Sequence, residues 1–399
     1  MPKNKIALVA ASTAPIPDVL GGGAERLVTM LIEQNEIDNK VEFIVFSIKN
    51  KKAKLQAKKY KYTKFVYLVP SNLCEKLYNF IILKLPYLFK NNLCKKGYYL
   101  KIAKWIKKNK VDIIIDENGY TEDFKKITDI VGIHKTSAHV HWMVNPMKRN
   151  ISNNYGSIIG VSDFIIDFWM THTKNRQTIA KIVYSAVDEK RFNQIITDNV
   201  KYSLRHKYNI EKQDFVFIYC GRIDEQKGVQ ELYKAFRQIK NKNVKLLIVG
   251  SSNKKDSKMS SYNRQLLEEA RTDQNIIFTG YIDNDKLINF YQISNVQVIP
   301  TLTEEAAGLV AIEGMLSGLP IIATNSGGLV EYVDTSCALI VEKDNNLVNN
   351  LSKAMIKLLE NKELCHQMGI NAIKRGKQFS KKKYYDDFIT AIDEILNSI

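Results

Sequence analysis

The sequence is poor in the residues that staple small secreted folds. Its 399 residues hold five cysteines, Cys74, Cys94, Cys220, Cys337 and Cys365, odd in number, scattered and without a CxxC pair. That argues against a disulfide framework or a thiolate zinc site and fits a reducing compartment. No run of 18 apolar residues occurs, so no segment is expected to span a membrane. The opening MPKNKIALVAAS runs straight into a strand pattern, with neither the apolar core nor the cleavage site of a secretory leader, so none is expected. Acids are nearly missing from one region. Residues 51–110 carry 17 lysines against the single acid Glu75.

What is present is ordinary for a globular protein: 45% apolar and 25% charged residues, in a chain long enough for two domains with a core each. The net charge of +17 is the exception, and the +16 of residues 51–110 accounts for nearly all of it. Aromatic residues are interleaved there, among them Tyr60, Tyr62, Phe65, Tyr67, Tyr78, Phe80, Tyr98, Tyr99 and Trp105. A solvated face is one reading. Nucleic-acid binding is another, but no recognised motif supports it. The preferred reading is a surface lying on an anionic leaflet, since YNFIILKLPYLFKNNL (78–93) and YYLKIAKWIKKNK (98–110) offer apolar stripes flanked by lysines. The expected location is the cytoplasm, at the inner face of the plasma membrane.

Apolar runs alternate with helical patterns. Strands are expected at 5–10, 41–47, 64–70, 111–117, 135–142 and 157–162, and a second series at 214–222, 244–251, 275–282, 296–300, 319–324 and 337–342. The spacing predicts an α/β chain of two doubly wound parallel sheets facing each other across a cleft. The expected division is 1–182, 183–379 and a last amphipathic helix, 380–399, packing back on the first domain, with 181–188 as linker. Ligands of such sheets bind at the carboxyl ends of the strands.

Four stretches lie at such ends. GGGAER (21–26) follows the first strand, and Gly22 and Gly23 let backbone amides approach a ligand, though a flexible turn is the plainer alternative. CGRIDEQKG (220–228) places Arg222 and Lys227 around a turn after Gly221, where two cations can hold a diphosphate and neutralise a leaving nucleotide. In TEEAAGLVAIEGMLSGLP (303–320), Glu305 stands before a helix whose first amides, Gly308, Leu309 and Val310, suit an anion, and Glu313 lies inside it. An acid in front of an anion site makes sense if the ligand also carries hydroxyls, as a sugar does. TSAHVHWMVNP (136–146) puts His139 and His141 on one face of a strand end. They could be a metal pair, but no third ligand is evident, and no metal is expected. Asp283-Asn284-Asp285 spells DxD, yet it sits ahead of LINFYQI and reads as a helix cap.

Glu305-x7-Glu313 with Gly308-Leu309-Val310 between the acids resembles the signature of family-four retaining glycosyltransferases, the glycosyltransferases group 1, of GT-B fold. The same family's G-R-x4-K-G is matched at Gly221, Arg222, Lys227 and Gly228, its GGAER at 22–26 and its GG-x2-E at 327–331. The sequence departs from it with Ala306-Ala307 where Pro-Phe is usual and Gly314 where Ala is usual.

The resemblance implies Rossmann-like domains and transfer of a hexose-type sugar from a nucleotide donor, most often UDP, with retention of configuration and without metal or cofactor. It gives Glu305 the sugar hydroxyls, Glu313 the ribose, His141 the neighbourhood of the transferred sugar, and the backbone of Tyr281 and Ile282 the nucleobase. Glu331 is read as mainly structural. A double displacement would need a carboxylate nucleophile, and the first domain offers no obvious candidate. Front-face attack is then favoured, with Arg222, Lys227 and the helix amides stabilising the leaving diphosphate. With the lysine-rich region, this predicts a peripheral membrane enzyme extending a lipid-linked or cell-surface glycan. The alternatives are a soluble synthase of the same fold and a basic RNA-binding protein.

Overall fold

The computed structural model describes residues 3–70, 97–192, 194–251, 261–270 and 273–398. The apolar stripe at 78–93 therefore lies outside the described residues. The chain divides into two units: residues up to Tyr184 together with those from Lys381 onward, and Ser185–Ser380.

The first unit is built on a seven-stranded sheet of order β3-β2-β1-β4-β5-β6-β7, all pairs parallel. Its strands are β1 Lys5–Ala10, β2 Glu42–Ile48, β3 Thr63–Leu68, β4 Ile113–Glu117, β5 Thr136–Val140, β6 Ser157–Gly160 and β7 Ile179–Ile182. The stretch read as a linker thus begins as an edge strand, because Ile179–Ile182 still finds β6 to pair with. Strands buried on both faces need continuous apolar runs rather than alternation, and Ile6 to Val9 are fully buried. The last helix, Lys381–Asn397, packs on the helix Gly23–Asp38: Tyr385 Oη donates to Asn35 Oδ1 at 2.6 Å, and Lys382 meets Asp38 at 3.1 Å.

The second unit holds a six-stranded parallel sheet of order β10-β9-β8-β11-β12-β13. It comprises β8 Phe215–Cys220, β9 Val244–Val249, β10 Ile276–Gly280, β11 Val296–Ile299, β12 Ile321–Thr324 and β13 Ala338–Val341. Its core joins Phe217, Leu246, Ile248 and Val298 of the sheet to Val229, Leu232, Leu351 and Met355 of the covering helices. In both sheets the order reverses beside the first strand, between β1 and β4 and between β8 and β11. These are the points where doubly wound sheets open crevices at their carboxyl ends.

The lysine-rich region behaves differently from the expected apolar stripe. In the helix Tyr98–Ile106 the apolar residues Tyr98, Tyr99, Ile102, Ala103 and Ile106 are buried in the unit's core. Among the described residues of this region, what faces outward is mainly lysine: Lys51, Lys52, Lys54, Lys58, Lys61, Lys64, Lys104, Lys107 and Lys108 are exposed, beside Leu55, Tyr62 and Val69. Several aromatics lie under lysine heads, with Lys64 over Trp105 at 5.0 Å and Lys54 over Tyr67 at 5.6 Å.

Candidate functional site

In the second unit, the loops after β8 and β11 are tied together. Leu302 N donates to the Gln226 carbonyl at 2.8 Å, and Gly228 (φ 66°) packs so closely that an added Cβ would stand 1.9 Å from the Pro300 oxygen. The Asp224 carboxylate caps the tight turn Glu225–Lys227 by accepting from Gln226 N at 3.1 Å. That turn aims Lys227 Nζ at Glu305 Oε1, 2.5 Å away, and Thr301 Oγ1 donates to the same oxygen at 3.0 Å. Gly328 N donates to the Glu305 carbonyl at 2.7 Å, so 325–333 holds the segment from behind. Arg222 is open to solvent, its guanidinium 3.6 Å from Asp224. Two cation–carboxylate pairs, Lys227–Glu305 and Arg222–Asp224, thus stand on the loops after β8 and β11.

Three residues beyond Glu305, Gly308 caps the helix Leu309–Leu316, whose first amides, on Leu309 and Val310, have no acceptor within the helix. Further in, Glu313 is buried and accepts from Tyr291 Oη at 3.0 Å. Burial, with Glu313 next in effect, pushes the neighbouring Cys220 thiol up to about 12, which makes it inert as a nucleophile. The departure at Gly314 has a physical reason: Gln297, pinned by its Nε2 to the Val310 carbonyl at 3.0 Å, puts its Oε1 only 1.8 Å from where a Cβ would be. Tyr281 is 41% exposed just after Gly280, whose φ of 71° turns the chain there, and Ile282 follows. Asp283 holds the N-cap position of the turn Asn284–Lys286, where its carbonyl accepts from Lys286 N at 2.9 Å and its side chain makes no cap bond.

The first unit gathers its own group. Gly22 caps the helix Gly23–Asp38 and is pressed by Glu25, whose Oε2 lies 1.9 Å from the position of an added Cβ. Burial raises the Glu25 carboxyl, and Asp18 and Glu117 add to the rise. At the end of β4, Glu117 receives both histidines: His139 Nδ1 lies 3.1 Å and His141 Nε2 2.9 Å from its Oε2. The imidazole centroids are 4.1 Å apart. Burial alone would raise Glu117, but the two imidazoles hold it down at about 2. Burial, helped by His139, pushes His141 down to about 4.

The preceding Asp116 works structurally. It accepts from Gly119 N and Tyr120 N, both at 3.0 Å, and from Tyr155 Oη at 2.5 Å. These bonds fix a turn in which Asn118 (φ 74°) and Tyr120 (φ 40°) take left-handed conformations that are rare for such residues. Complete burial wins over them and raises Asp116 to about 7.

Glu117 is the third group that the sequence reading of His139 and His141 lacked, and also a carboxylate in the first unit. The signal was the strand IIIDE, with two acids in a run buried throughout. The ligand atoms of Glu117, His139 and His141 all lie within 4.8 Å of one another, as a divalent ion would require. Ligating imidazoles, however, donate their other N–H outward, whereas His139 Nε2 and His141 Nδ1 are buried without a partner. The group is better described as a hydrogen-bonded triad.

Known proteins give this geometry its context. Residues 200–375 match the model of the family "Glycosyl transferases group 1". The lipopolysaccharide 1,2-N-acetylglucosaminetransferase of Salmonella typhimurium is 29% identical over 204 residues, which are 50% of this chain and 51% of that enzyme. The match thus spans about half of that relative's length. Among solved structures, a glycosyltransferase from Rickettsia africae superposes with a TM-score of 0.76 at 20% identity, covering 100% of both chains. HepE of Anabaena, crystallised with UDP, gives 0.74 at 16% identity, covering 99% of this chain and 100% of its own. At such identities the structures speak for the fold: Rossmann-like units of GT-B type. The segment 200–375 is a glycosyl transferases group 1 domain.

Proposed function

We infer that this chain transfers a hexose from a UDP-sugar to a lipid-linked or cell-surface glycan, with retention of configuration and without metal. The observation that carries the reading is the Lys227–Glu305 pair, 2.5 Å apart at the ends of β8 and β11 in the matched domain. A lysine ammonium has three donors, so Lys227 keeps its bond to Glu305 while binding a phosphate oxygen. Arg222 and the amides of Leu309 and Val310 add further donors to the diphosphate. Glu305 then has lone pairs left for a sugar hydroxyl, and Glu313 accepts from the ribose. UDP as the nucleotide is suggested by the HepE complexes with UDP and UDP-glucose.

In the chemical step the bond from the anomeric carbon to the diphosphate breaks, and the acceptor oxygen bonds on the same face. The departing phosphate oxygen takes the acceptor's proton. Glu117 is no rival as nucleophile, since it is 2% exposed and occupied by two imidazoles. The lysine face supports docking on an anionic leaflet by charge rather than by insertion, each lysine contributing about 1 kcal/mol near such a surface.

The test is transfer from a radiolabelled UDP-hexose to extracted membrane lipids in the presence of EDTA, with the new linkage read by NMR. Transfer giving the donor's own anomer supports the reading; an inverted product, or turnover only with added Mg2+ or Mn2+, sinks the corresponding part of it. Flotation with phosphatidylserine vesicles tests the membrane part, and recovery in the pellet fraction alone would favour a soluble synthase.

A further inference from the structure

The loops of the second unit carry an inference about how Glu305 is aimed. Thr301 lies just beyond β11 and is 1% exposed. Its backbone is held on both sides. Thr324 Oγ1, at the end of β12, donates to the Thr301 carbonyl at 2.7 Å, and Leu302 N donates to the Gln226 carbonyl at 2.8 Å. A branched side chain on so fixed a backbone has little freedom at χ1. The Thr301 hydroxyl is therefore a hydrogen donor at a set place.

That hydroxyl has one proton and three oxygens within reach: Glu305 Oε1 at 3.0 Å, the Gln226 carbonyl at 3.3 Å and the Thr303 carbonyl at 3.5 Å. The carboxylate is the nearest, and a bond to a charged acceptor is about twice as strong as one to a neutral acceptor. The two carbonyls are already served, one by Leu302 N and the other by Ser326 Oγ. The proton thus goes to Glu305. Lys227 Nζ meets the same oxygen at 2.5 Å. Both groups grip Oε1, and Oε2 has no hydrogen-bond partner among the described residues, on a side chain 24% exposed. The two grips are not equivalent. An ammonium on a flexible four-carbon stem follows the carboxylate, whereas a buried threonine hydroxyl holds it.

We propose that Thr301 is a positioning residue that pins Glu305 by Oε1, so that Oε2 accepts from one hydroxyl of the bound nucleotide-sugar and discriminates against a sugar lacking that hydroxyl. The proposal rests on the transferase reading above, and every group it uses stands in the second unit. Pinning matters because a loose carboxylate gives up rotamer freedom when it takes a hydroxyl, and a held one has already done so. Thr301 keeps its hold when Lys227 takes a phosphate oxygen as a further partner.

The experiment is calorimetric titration with UDP, UDP-glucose, UDP-galactose and the monodeoxy analogues of whichever hexose binds tighter, in the wild type, Thr301→Val and Thr301→Ser. Valine keeps the shape and removes the hydroxyl; serine keeps the hydroxyl. Thr301→Val is expected to raise the Kd of the UDP-hexose about 10-fold and that of UDP less than about twofold, while Thr301→Ser stays within about threefold of wild type for both. In the wild type one monodeoxy analogue should bind about 10-fold more weakly than its parent, and in Thr301→Val that difference should shrink to about twofold, since both changes remove the same bond. An equal loss for UDP and UDP-hexose in Thr301→Val would mark Thr301 as structural and overturn the proposal, as would a deoxy penalty that persists at full size. Should Thr301→Val not fold, Thr301→Ala takes its place with the same split expected, and the wild type alone can overturn the proposal if every monodeoxy analogue binds as its parent does. A wild type that binds neither UDP nor the UDP-hexoses would sink the transferase reading and the proposal with it, an outcome distinct from a wild type that binds them without the expected selectivity.

Discussion

The two units each gather charged or titratable groups at the carboxyl ends of their strands, but they bury them to different degrees. One group follows β8 and β11, where the strand order reverses, and the other lies at the ends of β4 and β5. In the second unit the groups are ion pairs and partly open: Lys227 and Glu305 are each 24% exposed, and Arg222, beside Asp224, reaches into solvent. In the first unit they are sealed, with one carboxylate facing two imidazoles. A lysine in an open ion pair can take an arriving phosphate oxygen as a further partner at little cost. The sealed group has no such opening. The difference predicts that substitutions fail in different ways, those in the second unit costing ligand binding and those in the first costing stability.

The largest effect is expected from Lys227→Ala. On the proposed reading it removes a donor to the leaving diphosphate, so kcat/KM should fall by about 100-fold or more while the melting temperature hardly moves. A loss of stability with intact turnover would erase the contrast. Glu117→Ala should do the reverse. Leaving two buried imidazole N–H groups without an acceptor should cost about 3 kcal/mol in urea unfolding.

The pH dependence of stability sharpens the same distinction. His141 binds its proton near 6.5 when unfolded but only at about 4 when folded, so it contributes stability above pH 6.5 that is lost as pH falls through 4. Asp116 is opposite: raised to about 7 from 3.8, it favours the folded state below 3.8, and that contribution is lost as pH rises through 7. The two slopes oppose each other between pH 4 and 6.5. His141→Asn should remove the rising one, so that its urea midpoint falls over that window relative to wild type; parallel curves would refute the assignment. Glu117, held at about 2 against 4.5, adds stability above pH 4.5 that disappears only toward pH 2.

The smallest effect belongs to Tyr291→Phe. It takes one hydrogen bond from Glu313 and should weaken UDP binding, measured by calorimetry, by about 1 kcal/mol or less.

How much of this was legible depended on whether the groups are neighbours in sequence. β8, the turn that follows it and the helix Leu309–Leu316 are set by local patterns: an apolar run, then Gly221 and Gly228, then an acid before a helix start. The candidate residues Arg222, Lys227, Glu305 and Glu313 lie on or beside those same segments, so the sequence brought them into view. Glu117 could not be reached that way, because its partners lie 22 and 24 residues on and only β4–β5 pairing brings them together. The apolar face of 98–110 was misassigned for a related reason. Periodicity shows that a helix has an apolar side, not whether core or lipid covers it, and Ile102 and Ile106 turned out to be core.

The central claim is that the second unit binds a nucleoside diphosphate through Lys227 and its neighbours. Thermal unfolding with UDP, GDP and ADP in EDTA tests it most directly, because a ligand bound only by the folded state raises the melting temperature by mass action. The account predicts a rise with UDP alone that disappears in Lys227→Ala. No rise with any of the three, or an equal rise in the variant, would contradict it.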